Sequence, residues 1–482
     1  MYNEKNSNFI KYDRNKAEIA CLDELVPQDH LVRKIDKTID FSFIHDLTRD
    51  LYCQDNGRPC VDPVILFKLI FINYIFGINS LRKTCEETKV NLAYRWFLGL
   101  GLSDKIPNHS TISQNYIRKF SNTNIFHMIF SRVLEELLFN NVIDPEVIFV
   151  DGTHIKANAN KNKRIKKQVK IITDKYHKEL ENEVNEFREM NGRDKYPSDD
   201  DDFGDGNYTI DEKTGEVKEV KNKNSKEITV STVDPDAGLF VKGEHERQFA
   251  YTAQVACDKN GWALGFDLNP GNMHDSAAFL PFFDRLQPMY HASIWCADAG
   301  YANNLIAHHV QNNNCHLLVP YTRPKGATTT FSKREFDYYD EIDQYRCPNK
   351  KWLIPWNISK DGNIEYKIHK TDCGDCPFKK ECLKNYSFKT VTRHLYEDCR
   401  LVANDFRLSE IGKTIYPMRK TTIERLFAVG KEQHGLRFTR FIGLEKNHNF
   451  LALLLACLNI KKLALLLVKR ERKLKNKLTS IA

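Results

Sequence analysis

Two short apolar runs, each ending in an aspartate, constrain this chain more than any other feature. Val147, Ile148, Phe149 and Val150 form a β-branched and aromatic run with Asp151 at its end and Gly152 after it. The run Ser293 to Ala297 (SIWCA) likewise delivers Asp298, followed by Ala299, Gly300 and Tyr301. Runs of this length that are apolar at every position read as strands buried on both faces, and such strands belong to sheets covered by helices. An acid at the mouth of a buried strand is rarely left without a partner. A turn aspartate capping the next segment is the plain alternative for Asp151. Gly152 permits close backbone approach.

A third acid stands far downstream, in the stretch Tyr416 to Arg440, YPMRKTTIERLFAVGKEQHGLRFTR. Thr421 or Thr422 can cap a helix here, Ile423, Leu426 and Phe427 recur at helical spacing, and Gly435 offers a stop. At about 100° per residue, Glu424, Ala428 and Lys431 share the strip beside that apolar stripe, so a carboxylate and an ammonium face the same way. Arg419, Lys420, Arg425, Arg437 and Arg440 surround them. This is either a metal-binding carboxylate within a phosphate-binding surface or an amphipathic helix with a solvated charged face.

The stretch resembles the third acidic motif of DDE transposases from bacterial insertion sequences, the group with a Tyr, Arg, Glu, Lys signature. Tyr416 to Arg419 and Glu424 to Lys431 match its spacing. Four residues rather than three separate Arg419 from Glu424, so Arg419 or Lys420 fills the basic position. The resemblance demands two aspartates on upstream strands, and Asp151 and Asp298 supply them. It implies an α+β, ribonuclease-H-like core, a mixed sheet flanked by helices. It also implies an all-α N-terminal domain that recognises the element's ends. In activity it implies metal-dependent DNA cleavage and strand transfer, with Asp151, Asp298 and Glu424 holding two Mg²⁺ or Mn²⁺ ions. Hard oxygen donors suit those ions. Tyr416, Arg419, Lys420 and Lys431 are then expected to contact DNA. Double-stranded DNA, both element ends and target, is the expected partner, bound by a homodimer on paired ends.

Around this core the chain divides into expected regions. Residues 1–140 read as helices: Asp62 and Pro63 open an apolar one that Gly77 closes, Ser80 starts another, and Ser110 caps a third in which Ile112 and Tyr116 face inward. Arg118 and Lys119 stay out, as basic ends that a DNA-reading domain or a plain helical bundle would both carry. Residues 145–470 form the catalytic domain, with Lys156 and a run of basic residues following Asp151. An insertion at 165–245 holds a charged helix and the acidic run DDDDFGDG, and reads as a protruding helix with a partly ordered linker. Phe249 to Asp258 and Trp262 to Leu268 read as a hairpin, followed by a helix from Ser276 to Leu286.

A second insertion at 326–400 carries Cys347, Cys373, Cys376 and Cys382. They form a candidate four-thiolate zinc site, for which His369 and Cys399 compete as ligands, or else pack as small hydrophobes. The other eight cysteines read as buried filler. A basic tail runs from 469 to 482. Net charge is +8, which suits a polyanion partner. The thirteen cysteines, and a start without an apolar h-region, point to a reducing bacterial cytoplasm, at the nucleoid when DNA is bound. Phe450 to Val468 is apolar enough to suggest a membrane. Lys461 and Lys462 in its middle would each cost about 2.5–3.5 kcal/mol there, so one or two buried core helices are expected instead. The rival functions are a non-catalytic DNA-binding regulator derived from a transposase and a ribonuclease-H-like nuclease without strand transfer.

Overall fold

A computed structural model of the 482-residue chain describes all residues except 1–18, 54–59, 171–174, 197–207, 211–216, 220–224, 243–245, 322–330, 384–385 and 480–482. The acidic run DDDDFGDG lies outside the described residues. The chain separates into two compact units, one of residues 1–140, 433–435 and 452–482, the other of 141–432 and 436–451.

The first unit is helical. Asp62 caps Pro63–Ile75 by accepting a 2.8 Å hydrogen bond from the Val64 N–H, and Leu66, Phe67, Leu69, Phe71 and Ile72 along that helix are buried. Gly77 takes φ +64°, and a Cβ there would lie 2.2 Å from the Gln433 carbonyl oxygen, so only glycine serves. The third helix starts one step earlier than expected. Asn108, not Ser110, caps His109–Asn115, because its Oδ1 accepts from the Ser110 N–H at 3.0 Å. A π-helical turn, Tyr116–Phe120, follows and carries Arg118 and Lys119. Arg118 is exposed, but Lys119 is half-buried with its ammonium 3.3 Å from the centre of the Tyr52 ring, so it does not project freely.

A single helix, Leu444–Thr479, contains the apolar run expected as one or two. It is long and apolar enough to cross a membrane by composition, yet Phe450 to Cys457, Ile460, Leu463 and Ala464 are buried within the protein. Residues 452–482 group with the N-terminal helices rather than with the catalytic region.

The second unit is built on a mixed sheet. Its strands in chain order are β1 (Val147–Lys156), β2 (Arg164–Lys170), β3 (Ser225–Ser231), β4 (Gly238–Lys242), β5 (Glu246–Cys257), β6 (Ala263–Pro270), β7 (Ile294–Cys296) and β8 (His316–Leu318). Across the sheet they run β8-β7-β1-β5-β4-β3-β2, with β6 paired to β5. β1 lies parallel to β7 and antiparallel to β5, and β7 is parallel to β8. Helices α1 (Asp275–Tyr290) and α2 (Asn304–Asn312) link β6 to β7 and β7 to β8. A mixed sheet with flanking helices in this order is compatible with a ribonuclease-H-like fold.

The first insertion is more ordered than its composition suggested. β2 and β3 pair over seven residues each, Arg164↔Ser231 to Lys170↔Ser225, because backbone ladders need no apolar side chains. The helix Lys175–Met190 buries Leu180 and Val184 against a second sheet, so it does not simply protrude. That second sheet, in the second insertion, runs Asp337–Tyr339, Gln344–Arg346, Trp352–Ile358, Asn363–Ile368 and Thr390–His394 in antiparallel sequence. Tyr345, Leu353, Ile364, Tyr366 and Val391 give it an apolar core.

Candidate carboxylate site at the end of the sheet

Strand register brings the two aspartates together. Phe149 of β1 and Cys296 of β7 are partners at the last rung of the parallel pair. Asp151 and Asp298 each follow two residues later, so both emerge at the same end of the sheet on the face set by that rung. β1 continues past Asp151 to Lys156, so Asp151 lies within a long strand, at the point where its parallel neighbour stops.

Both oxygens of Asp151 are engaged. Oδ1 accepts from the Gly152 N–H at 2.9 Å, and Oδ2 accepts from Arg419 Nη2 at 2.9 Å. Burial pushes the Asp151 carboxyl up to about 6. The Arg419 guanidinium opposes that rise, and the charges of Asp298 and Asp275 add to it. Asp298 Oδ1 accepts from the Gly300 N–H at 2.8 Å, capping the single turn Ala299–Tyr301.

A third acid at this end escaped sequence reasoning. Asp275 opens α1, and burial, then the charge of Asp298, raises its carboxyl above the ordinary range. Its Oδ1 lies 2.9 Å from where a Cβ on Gly152 would be, which identifies what the glycine makes room for. Gly152 signalled a close approach, but nothing in the sequence named Asp275 as the approaching group. Beneath them lies Tyr301, fully buried. Its hydroxyl is held far above its ordinary value by burial and by Asp275, Asp151 and Asp298, and it receives a 3.4 Å hydrogen bond from Gln254 Nε2.

Glu424 sits in the first turn of α3 (Ile423–Gln433), exposed, where the helix dipole favours an anion. Tyr416 belongs to the turn just ahead of α3. Its hydroxyl is raised first by burial and is also within the electrostatic reach of Asp298 and Glu424. α3 starts at Ile423, directly after the caps expected at Thr421 or Thr422, and a 3₁₀ turn, Tyr416–Lys420, precedes it across a break in the helix. That break turns Arg419 inward, to 5 % exposure, and leaves Lys420 exposed. Arg419 therefore faces the Asp151 carboxylate, whereas Lys420 stays on the surface.

Lys156 and Lys431 line one cleft of about 430 Å³ with His154, Phe240, Arg437 and Phe438. Its wall is held by backbone bonds from Lys156 N to Arg437 O at 3.0 Å and from Thr439 N to Lys156 O at 2.8 Å. The cleft also contains Gly152, next to Asp151. Cys347, Cys373, Cys376 and Cys382 line a separate cavity with Phe331, Phe336 and Lys389. The Lys351 N–H points at Cys347 Sγ from 3.3 Å, and burial raises the Cys373 and Cys382 thiols. Of the eight cysteines outside the second insertion, Cys85, Cys257, Cys296, Cys315 and Cys457 are buried, whereas Cys21, Cys53 and Cys60 are exposed and are not filler.

The donor chemistry at the sheet end suits a hard divalent cation: Asp151 and Asp275 are partly desolvated and the charge of Asp298 raises both, so they want positive charge among them. As they stand, no three His, Cys, Asp or Glu side chains among the described residues are close enough to hold one ion. Asp151 and Asp298 are instead held by the local hydrogen bonds just described.

The sheet end thus gathers acids beside a cleft lined by Lys156, Lys431, Arg437 and Glu246. Residues 20–118 match the family model described as a transposase domain (DUF772), and residues 346–464 match that of a transposase DDE domain. The two matches support a DDE transposase of insertion-sequence type. The second match contains Tyr416, Glu424 and Lys431, while Asp151 and Asp298 lie outside both matches. No curated protein matches the chain. Among solved structures, one titled Mos1 transposase paired-end complex with left transposon end aligns at 11% identity and a TM-score of 0.15. The alignment spans 55% of this chain and 61% of that one, under two thirds of its length, and a score that low carries no argument.

Proposed function

We propose that this transposase binds the ends of its element and cuts and joins DNA with Asp151, Asp298 and Glu424 as the ligands of divalent Mg²⁺ or Mn²⁺. The observation that carries this reading is the placement of Asp151 and Asp298 two residues beyond one shared rung, with Glu424 inside the segment matched by the DDE family model. Bound there, a pair of such ions would activate the attacking oxygen and stabilise the leaving one. The chain's own groups do the rest. Lys420, Lys431 and Lys156 take the phosphates of double-stranded DNA, and Tyr416 orders a strand end beside Glu424. Arg118 is the candidate phosphate contact of the N-terminal unit. A homodimer on paired ends is part of the proposal, as is a structural zinc held by Cys347, Cys373, Cys376 and Cys382.

Replacing Asp298 by Ala and assaying end cleavage with Mg²⁺ tests the assignment: cleavage is expected to vanish, and undiminished cleavage refutes it. Supplying precleaved ends and finding joined products distinguishes a transposase from a nuclease.

A further inference from the structure

The carboxylate site has a compensation problem. Asp151 is only 19 % exposed, and Asp298 and Asp275 are near enough to raise its carboxyl further. Buried charges of one sign destabilise a fold unless something of the opposite sign is placed among them. Arg419 is so placed. At 5 % exposure it donates from Nη1 to the Val150 carbonyl at 3.1 Å and from Nη2 to Asp151 Oδ2 at 2.9 Å. Val150 and Asp151 are consecutive residues of β1, so the planar guanidinium grips backbone and carboxylate together and fixes its own direction. It issues from the 3₁₀ turn that leads into α3, so the same group ties the helix of Glu424 to the strand of Asp151.

We propose that Arg419 is a positioning residue that stands in for the divalent cation, holding Asp151 in its ion-binding orientation and α3 against β1 until an ion arrives. The proposal rests on the reading of Asp151 as an ion ligand. Two adjacent basic residues then do different work, with Arg419 facing the acids and Lys420 facing phosphate.

Thermal melting of the full-length wild type, R419Q, D151N and D151N/R419Q, each in chelator and in Mn²⁺, tests this. Metal-free gel shifts with an end-containing fragment complete it. In chelator R419Q is expected to melt several degrees below the wild type. Mn²⁺ should recover most of that gap, because the ion supplies the missing charge. In the D151N background the same Arg419 change should cost far less, since the charge it balances is gone. R419Q should shift the DNA fragment as the wild type does, whereas K420A should shift it less. An equal R419Q deficit with and without Asp151 would overturn the proposal, leaving a packing role. Loss of metal-free DNA binding in R419Q would overturn it in favour of a phosphate contact. If the coupling to Asp151 holds but Mn²⁺ stabilises neither wild type nor R419Q, the ion reading of the site fails and Arg419 is only a buried ion pair.

Discussion

The sheet end and the cysteine cavity both collect side chains of types that can bind metals, and they balance charge differently. At the sheet end the donors are charged. Burial and mutual repulsion lift Asp151 to about 6, and a guanidinium and two backbone N–H groups are engaged in holding Asp151 and Asp298. In the cysteine cavity the Cys373 and Cys382 thiols are pushed up by burial and so stay neutral, packed with Phe331 and Phe336. Neutral thiols are tolerated as small hydrophobes, so no counter-ion is needed. Hard, charged ligands have to be balanced before their metal arrives; soft, neutral ones do not.

The comparison can be broken first at its charged side. Asp151→Asn and Asp298→Asn each remove a ligand whose work is electrostatic, and end cleavage should fall by roughly 10²–10³-fold or more. Metal-free end binding in a gel shift should change little. If binding collapses with cleavage, the acids serve the fold and not the ion.

Acidity gives the next largest effect. Asp151 is charged only above about 6, so it is available to a cation there and protonated below. The cleavage rate should therefore decline by about tenfold per pH unit beneath that point at fixed, subsaturating Mn²⁺. A flat profile down to about pH 5 would show that Asp151 does not titrate against the ion.

On the neutral side the expected change is in stability. The purified chain should carry one zinc, and Cys376→Ser should lose it and melt several degrees lower. A full-length chain with four reduced thiols, no zinc and an unchanged melt in the variant would leave the cysteines as packing alone. The smallest effect belongs to the surface around the acids. Lys431→Ala should weaken end binding a few-fold and reduce the salt slope by about one ion.

How much of this was legible in the sequence follows from the range of the forces involved. Strands announced by unbroken apolar runs, Val147 to Val150 and SIWCA, appear where expected, and so do the hairpin and the helix after it, because local composition determines them. The first insertion misled because β2 and β3 pair through backbone atoms, which carry no compositional signature. Glu424 was visible from helical spacing. The inward turn of Arg419 was not, since it depends on the 3₁₀ turn Tyr416–Lys420 ahead of α3, which composition does not announce. Asp275 was invisible for a different reason: only the register of β1 and the start of α1 place it over Gly152.

Iron-directed cleavage of the protein itself tests most directly whether these acids share an ion. With Fe²⁺ in place of Mg²⁺ and peroxide added, a bound iron generates hydroxyl radicals that cut the backbone beside its ligands. We expect cuts clustered near residues 151, 298 and 424, suppressed by excess Mg²⁺ and absent in Asp151→Asn. Cuts confined to other parts of the chain, or the same pattern in Asp151→Asn, would contradict a common ion at the sheet end.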